Sequence, residues 1–130
     1  MKILAIGNSF SQDATRYLQD IAASAGENLF VRNLYIGGCT LEQHVGTLAK
    51  STPSYDFYLN KGGKWTKTRG TIPDGLRYAD WDVVTLQQAS GLSGVEASSH
   101  YSYRNRKNLL PRCKACMAYD MGLSGQFLAQ

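Results

Sequence analysis

The N-terminal part of the chain begins with a short apolar run, which apolar residues at helical spacing follow. Residues 2–6 are largely apolar and end at Gly7, which predicts a β-strand buried on both faces. After the turn at 7–9, a helix is predicted to end near Gly26, with this glycine as a left-handed cap. The apolar stripe of the helix consists of Ala14, Tyr17, Leu18, Ile21, Ala22 and Ala25.

The same order of strand, glycine turn and helix is then repeated. Residues 29–36 are rich in β-forming side chains and predict a second strand, which ends at Gly37-Gly38-Cys39. Thr40 and Gln43 have the spacing of a capping box at the start of a helix. Two successive β–α units predict a parallel sheet with the two glycine-containing turns side by side. The predicted helix places on one face Leu41, His44, Val45 and Leu48.

The middle of the chain departs from this alternation. Residues 54–59 and 64–68 flank Asn60-Lys61-Gly62-Gly63, which predicts a β-hairpin. Thr71 or Pro73 then begins a short predicted helix that extends through Tyr78, and residues 81–88 predict a third buried strand. The aromatic residues of the hairpin can pack it onto the body, or can stack on a sugar or acyl group: Tyr55, Phe57, Tyr58 and Trp65.

Length and composition indicate one domain with one core, since the chain has 130 residues, of which 43% are hydrophobic. No apolar stretch is long enough to cross a membrane, and no secretory leader precedes the first strand. Three cysteines, Cys39, Cys113 and Cys116, make no even disulfide framework and favour a reducing compartment. We therefore expect a cytoplasmic protein without a membrane partner. The isolated Cys113-x-x-Cys116 pair is a weak signal, so no metal and no cofactor are predicted.

The formal net charge of +4 is concentrated at the C-terminus. Residues 1–99 contain nine Lys or Arg and nine Asp or Glu, whereas residues 100–130 contain five basic residues and one acidic residue. A basic tail can bind phosphates, but the body shows no basic stripe with interleaved aromatic residues. Nucleic acid is therefore not the expected partner.

Ser9 is the first candidate for chemistry. A strand followed by a tight turn and a helix places this serine at the carboxyl edge of a sheet, where ligands of open α/β sheets bind. The positive end of the helix dipole and free N–H groups also lie there, and both suit a developing oxyanion. Alternatively, Ser9 or Ser11 only caps the helix. The pattern alone leaves both interpretations open.

Two further turns are predicted to reach the same edge. Glycine at 37 and 38 allows a backbone N–H to approach a substrate, or serves only the turn. Gln87 and Gln88 follow the apolar run of the third strand, and a side-chain amide there could donate to an oxyanion. Equally, a glutamine could hold the loop of residues 89–94.

Three segments carry a family resemblance. Gly7-Asn8-Ser9-Phe10-Ser11 resembles the first block of the SGNH (GDSL-type) hydrolases. Together with 35–44 and 81–90, it resembles the bacterial SGNH-like family DUF4886 over residues 1–99. The resemblance implies a flavodoxin-like three-layer α/β/α fold with a parallel sheet, incomplete at the C-terminus. It also implies a serine esterase acting on a small-molecule or carbohydrate ester, such as an acetylated sugar.

Roles are transferred by this resemblance one residue at a time. Ser9 would be the nucleophile and Gly38 an oxyanion donor, with a third donor from Gln87 or Gln88, although the Gly-x-Asn pattern of the hydrolases is not met there. We also expect the substrate to be contacted by Asn8, Gly37, Ser90 and His44, where His44 can alternatively be structural.

The general base that such a serine needs is missing from the sequence. SGNH hydrolases supply it from an Asp-x-x-His motif near the C-terminus, and the histidines here, His44 and His100, stand in other contexts. Activity is therefore expected to be weak or absent. The alternative function is a non-catalytic carbohydrate- or ligand-binding module on the same fold, which uses Tyr55, Tyr58 and Trp65.

Residues 100–130 read as an irregular basic tail. Codons can be chosen for residues 117–125 that, read one nucleotide later, encode a peptide similar to a strand motif of this family. We therefore hypothesise that the tail is a frame-shifted reading of a longer gene, which would remove the later strands and the Asp-x-x-His motif.

Overall fold

A central strand, β1 (Lys2–Gly7), organises a six-stranded sheet. The structure is a computed structural model that describes residues 1–48, 52–61, 64–95, 97–98 and 116–119. β1 pairs in parallel with β2 (Phe30–Tyr35) on one side and with β5 (Val83–Gln87) on the other. Residues 4–7 of β1 are buried, as predicted for a strand in the middle of a parallel sheet.

The hairpin joins this sheet, so that the sheet is mixed and the prediction of a parallel sheet is corrected. β3 (Tyr55–Lys61) pairs antiparallel with β2 and with β4 (Lys64–Gly70). The two strands of a hairpin run in opposite directions. When both join a sheet, at least one pair of neighbouring strands is therefore antiparallel. The strand order is β4-β3-β2-β1-β5-β6, where β6 is Cys116–Tyr119 and pairs in parallel with β5.

The first predicted helix is two helices, α1 (Ser9–Arg16) and α2 (Leu18–Ser24), which meet at Tyr17. The end predicted at Gly26 is confirmed, since this residue has φ +76°. Its N–H donates to Ala23 O at 3.0 Å, and Glu27 N–H donates to Ala22 O at 2.8 Å, which is the Schellman pattern.

The helices α3 (Leu41–Leu48) and α4 (Ile72–Arg77) both begin with a capping box. Thr40 and Gln43 exchange their bonds as predicted, with Thr40 N–H donating to the Gln43 side chain at 2.8 Å and Gln43 N–H to Thr40 Oγ1 at 3.2 Å. The Thr71 and Asp74 side chains form the second box. Each box satisfies two N–H groups that a helix start otherwise leaves free.

The helices lie on both faces of the sheet, which gives a mixed α/β fold in layers. Ser11 of α1 contacts Asn33 of β2, whereas Gly75 of α4 lies against the neighbouring Leu34. Because successive side chains of a strand point to opposite faces, α1 and α4 cover different faces. The apolar core lies on the α3–α4 face and comprises Leu4, Ile6, Leu34, Leu41, Tyr55, Phe57, Ile72, Trp81, Val84 and Leu86.

Four residues of the segment predicted to be irregular, Cys116–Tyr119, thus form an edge strand. The other positions of that prediction, including His100 and Cys113, lie outside the described residues. Among the described helices, none combines the length and the apolar character that a membrane span requires.

Candidate functional site

The carboxyl ends of β1, β2 and β5 meet at one edge of the sheet. Gly7 is in register with Tyr35, and Ile6 with Leu86, so the three strands end side by side. Ile36 N–H also donates to Gly7 O at 3.1 Å. The structure therefore brings together the three turns that the sequence predicted at this edge.

Asn8 holds these three turns together. Its side-chain amide donates to Cys39 O and to Gln88 O, each at 3.1 Å, and its Oδ1 accepts from Phe10 N–H at 3.1 Å. Asn8 is 1% exposed, and the bonds to Cys39 O and Gln88 O are shielded from water. The cap of α1 is thus Asn8, and the alternative in which Ser9 or Ser11 caps the helix is corrected.

The two serines of the turn differ in exposure. Ser11 is buried, where its hydroxyl donates to Asn8 O at 2.9 Å and lies 3.1 Å from Asn33 Oδ1. Ser9 is the first residue of α1 and is exposed. Its Oγ has no hydrogen-bond partner in the described part of the chain. Ser9 is therefore the serine of this turn that can meet a ligand.

Gly7 allows α1 to approach the sheet closely. A Cβ at this position would lie 2.7 Å from Ser11 Cβ and 3.0 Å from Gln87 Cβ. Real Cβ atoms do not approach so closely, so any side chain would push α1 away from β1 and β5. The glycine thus fixes the distance of the Ser9 turn from the sheet.

The turn after β2 carries two exposed glycines. Gly38 has φ +65°, a backbone conformation that favours glycine, and a Cβ there would meet nothing within 4 Å. Within the described residues, neither Gly37 N–H nor Gly38 N–H donates a hydrogen bond to the chain. The adjacent Cys39 O accepts from Asn8, so Gly38 and Ser9 flank the same hydrogen bond.

Gln88 is occupied within the protein. Its Oε1 accepts from Leu41 N–H at 3.0 Å and from Ala89 N–H at 2.9 Å, and its Nε2 donates to Ser98 Oγ at 3.2 Å. This amide joins α3 to the loop after β5, in agreement with the alternative of a glutamine that holds the loop.

Gln87 and Ser90 lie on either side of Gln88. Gln87 is 7% exposed, and its Oε1 has no partner among the described residues. Its Cβ lies beside Gly7 and Ser11 on the α1 face. Ser90 is exposed and begins a short 3₁₀ helix, Ser90–Leu92. Of the two glutamines, Gln87 is therefore the one whose side-chain oxygen, Oε1, accepts no hydrogen bond from the described residues.

His44 lies beneath the glycine turn, not in its surface. It is fully buried, its Nδ1 is 2.7 Å from the Tyr55 hydroxyl, and its ring stacks on the Tyr55 ring at 5.7 Å. Burial lowers the pKa of His44 to about 4. A neutral imidazole held in this way supports the turn from below and is closed to a ligand on the surface.

Cys39 completes this buried cluster. Its Sγ is 3.4 Å from His44 Nδ1, and burial raises the pKa of the thiol to about 11. A catalytic cysteine needs a lowered pKa, because the thiolate is the nucleophile. The pair of Cys39 and His44 is therefore neutral and structural.

A groove of about 530 Å³ opens beside Ser9. Its helical wall carries positions 9, 12, 13 and 16 of α1, and the hairpin supplies two aromatic side chains. Ser9, Tyr58 and Trp65 were predicted, whereas the other three were missed, although their spacing from Ser9 is that of one helix face. The groove is lined by Ser9, Gln12, Asp13, Arg16, Tyr58 and Trp65.

A known domain family matches most of the chain. The family is described as "Domain of unknown function (DUF4886)", and the match extends over residues 2–113. The chain belongs to the DUF4886 family. The match reaches beyond the residues 1–99 on which the resemblance rested.

A solved DUF4886 structure is similar to this chain. It is the crystal structure of a DUF4886 family protein from Bacteroides uniformis, with 38% sequence identity and a TM-score of 0.84. The alignment covers 91% of this chain and 48% of that one, so the chain spans about half the length of this relative. No curated protein matches the chain.

The candidate residues of this DUF4886 domain thus separate into two sets. Ser9, Gly37, Gly38 and Ser90 lie exposed around the edge of the sheet. Asn8, His44, Gln87 and Gln88 are buried, and of these Asn8 and Gln88 hold the turns in place through their hydrogen bonds. Hydrogen bonds between residues far apart in sequence distinguish the buried set from the exposed one. Asn8, for example, donates to Gln88 O, 80 residues away.

Proposed function

We propose that this DUF4886 domain carries the nucleophile and the oxyanion site of an SGNH-like serine hydrolase that acts on esters, on a flavodoxin-like three-layer fold. One observation supports the proposal above the others. The hydrogen bond from Asn8 to Cys39 O joins the residue before Ser9 to the residue after Gly38. The exposed Ser9 hydroxyl therefore shares one sheet edge with the N–H groups of Ser9 and Gly38, neither of which donates a hydrogen bond within the described residues.

The chemistry follows the usual course of acyl transfer. Ser9 Oγ attacks the ester carbonyl carbon, and the C=O electron pair moves to the oxygen, where Ser9 N–H and Gly38 N–H donate to it. Collapse of this intermediate breaks the C–O bond and releases the alcohol. Water then hydrolyses the acyl-serine and restores the hydroxyl.

The proton of Ser9 needs an acceptor, which limits the rate. His44 is engaged with Tyr55, and His100 lies outside the described residues. We propose that solvent bases accept the proton, so that turnover is slow and added imidazole, acting as an external base, raises the rate.

The test combines labelling and hydrolysis. A fluorophosphonate probe should label Ser9, and imidazole should accelerate hydrolysis of p-nitrophenyl acetate beyond its own background rate. Ser9→Ala should abolish both effects. The matched control is Ser11→Ala, two residues away in the same turn, which loses a buried hydrogen bond but keeps the Ser9 hydroxyl. Equal labelling of the wild-type protein and Ser9→Ala would refute the proposal.

A second function is favoured by the groove itself. Tyr58 and Trp65 line it beside Ser9, as a carbohydrate- or ligand-binding module would require. Tyr55 takes no part, since it is 1% exposed and its hydroxyl bonds to His44 and Thr47. A protein that binds ligand in this groove, but neither labels at Ser9 nor hydrolyses esters, would establish the binding module.

A further inference from the structure

We infer that the β3–β4 hairpin provides the wall on which the sugar ring of a carbohydrate ester stacks, with Tyr58 and Trp65 as specificity-determining residues. The inference deepens the proposed function, on which it rests only for the position of the ester at Ser9. It concerns the ligand specificity of the groove.

The aromatic residues form a continuous row. The Tyr35 and Tyr58 rings meet edge to face at 6.0 Å, and the Tyr58 and Trp65 rings do so at 6.4 Å. At the other end of the row, the Tyr35 hydroxyl lies 3.2 Å from the position that a Gly37 Cβ would occupy. The row thus runs from the glycine turn to the far wall of the groove. Edge-to-face pairs fix the ring planes, so the wall is ordered before a ligand arrives.

The opposite wall is polar. Gln12, Asp13 and Arg16 stand on the face of α1 that Ser9 begins. In the described part of the chain, neither the Asp13 nor the Arg16 side chain takes part in an ion pair or a hydrogen bond, and the Arg16 guanidinium lies over the Tyr17 ring at 5.3 Å. Their hydrogen-bonding capacity is therefore available to a ligand.

A ring with one apolar face and a polar rim fits two such walls. The C–H face of a pyranose can lie on Tyr58 and Trp65 while its hydroxyl groups bond to Asp13 and Arg16. An alkyl chain would instead desolvate the carboxylate and the guanidinium without replacing their hydrogen bonds, which is costly. The volume of about 530 Å³ lies within the range of small-molecule sites.

Tryptophan fluorescence can detect the binding of a ligand to this aromatic wall. The chain has two tryptophans, and Trp81 is buried in the core with its N–H bonded to Gly75 O. A change in fluorescence on addition of ligand therefore reports mainly on Trp65. The probes are cellobiose, chitobiose and their O-acetylated forms, with p-nitrophenyl octanoate as the alkyl ester for comparison.

We expect saturable binding of at least one disaccharide probe. Trp65→Ala should weaken it roughly 3- to 10-fold, measured by NMR titration, and Trp65→Phe should restore most of the loss. Ile21→Ala, at an exposed position of α2, is the matched control and should bind as the wild-type protein does.

The outcomes separate the two proposals. Disaccharide binding that depends on Trp65, with no reaction at Ser9, would retain this inference and overturn the hydrolase. Failure of every disaccharide to bind, binding indifferent to Trp65→Ala, or a preference for the octanoate ester would overturn this inference while leaving labelling at Ser9 intact.

Discussion

Asn8 shows how one small side chain can assemble a site. Its amide has two donors and an acceptor, and each has a partner in a different part of the chain. The bonds tie the start of α1 to the turn after β2 and to the end of β5. If one partner of a buried hydrogen bond is removed, the remaining donor or acceptor has neither a protein partner nor water. The free-energy cost of this unpaired group exceeds the net free energy that the hydrogen bond contributes to folding.

Asn8→Asp distinguishes the two roles of Asn8, which caps α1 and also joins α1 to the turn after β2 and to the end of β5. The aspartate can still accept from Phe10 N–H, but it loses both donors and turns a carboxylate oxygen towards Cys39 O and Gln88 O. We expect a loss of about 2–4 kcal/mol in the free energy of unfolding, measured by urea denaturation. The matched control is Asn28→Asp at an exposed position, which should change it by less than about 0.5 kcal/mol. Equal effects would show that Asn8 is not a junction.

His44 makes stability depend on pH. Burial lowers its pKa from 6.5 to about 4. Between pH 6.5 and 4, the unfolded chain therefore binds a proton at His44 that the folded protein does not bind. The contribution is fully present above pH 6.5 and is lost as the pH falls towards 4. Over this window the free energy of unfolding should fall by about 3 kcal/mol on account of His44.

His44→Gln tests this assignment, since glutamine does not titrate and can still bond to Tyr55. Urea unfolding between pH 4 and 7 should give a flatter profile for the variant than for the wild-type protein. The carboxylates of Asp56 and Asp74 also have lowered pKa values, through their bonds to Arg69 and Thr71, but they act at lower pH. Parallel profiles for the two proteins would contradict the assignment.

Sequence reasoning located the exposed residues of the site better than its supports. Ser9 and Gly38 follow predicted strands, and local pattern suffices to place them. The roles of Asn8 and Gln88 depend on partners 31 to 80 residues away, which no local pattern contains. His44 was predicted to be structural or substrate-facing, and its burial against Tyr55 agrees with the structural role. Helical spacing fixes the face on which His44 lies, but not the layer that this face contacts.

At the scale of elements, the packing of α1 against the sheet depends on Gly7. We expect Gly7→Ala to lower the free energy of unfolding by about 1–3 kcal/mol, because its methyl group would collide with Ser11 and Gln87. Gly46→Ala is the matched control. This glycine lies in α3 with nothing within 4 Å of a Cβ, so alanine should raise the free energy of unfolding by about 0.5–1 kcal/mol. Thermal denaturation of both variants measures the contrast, and a stabilising Gly7→Ala would contradict it.

The predicted elements exist, with ends that differ by one or two residues. The strand predicted at 81–88 is Val83–Gln87, and that at 29–36 is Phe30–Tyr35. Four features differ from the prediction: the hairpin extends the sheet, the first helix is divided at Tyr17, residues 116–119 form a strand, and the predicted apolar stripe of the first helix is largely exposed. Tyr17 is 55% exposed and Ile21 61%, whereas the helix buries Ser11 and Thr15. Spacing shows that a helix is amphipathic but not which of its faces is buried, and here α1 places Ser11 and Thr15 against the sheet.

At the scale of the whole molecule, the two faces of the sheet contribute unequally. The α3–α4 face holds the apolar core, where each fully buried aliphatic or aromatic side chain contributes about 1.5–3 kcal/mol. The α1 face meets β2 through the hydrogen bond of Ser11 to Asn33 and buries the small apolar side chains of Ala5 and Val31, while no residue of α2 is fully buried. A hydrogen bond contributes about 1 kcal/mol, and a small apolar side chain contributes less than a large one, so we expect α1 and α2 to be held less strongly than α3 and α4.

Native-state hydrogen exchange should reveal this difference. Amides of α1 and α2 should exchange through local openings of lower free energy than those of β1 and α4. Leu41→Ala provides the control, because it removes a core side chain of α3 and should lower global stability by about 2–5 kcal/mol. Protection in β1 and α4 should then fall, while that of α1 and α2 should stay nearly constant, because a local opening does not break the core. Uniform protection, or a parallel fall in all four elements, would show a single cooperative unit. With the expected result, Ser9 and one wall of its groove belong to the layer that opens first, so the site could admit a ligand without unfolding the core.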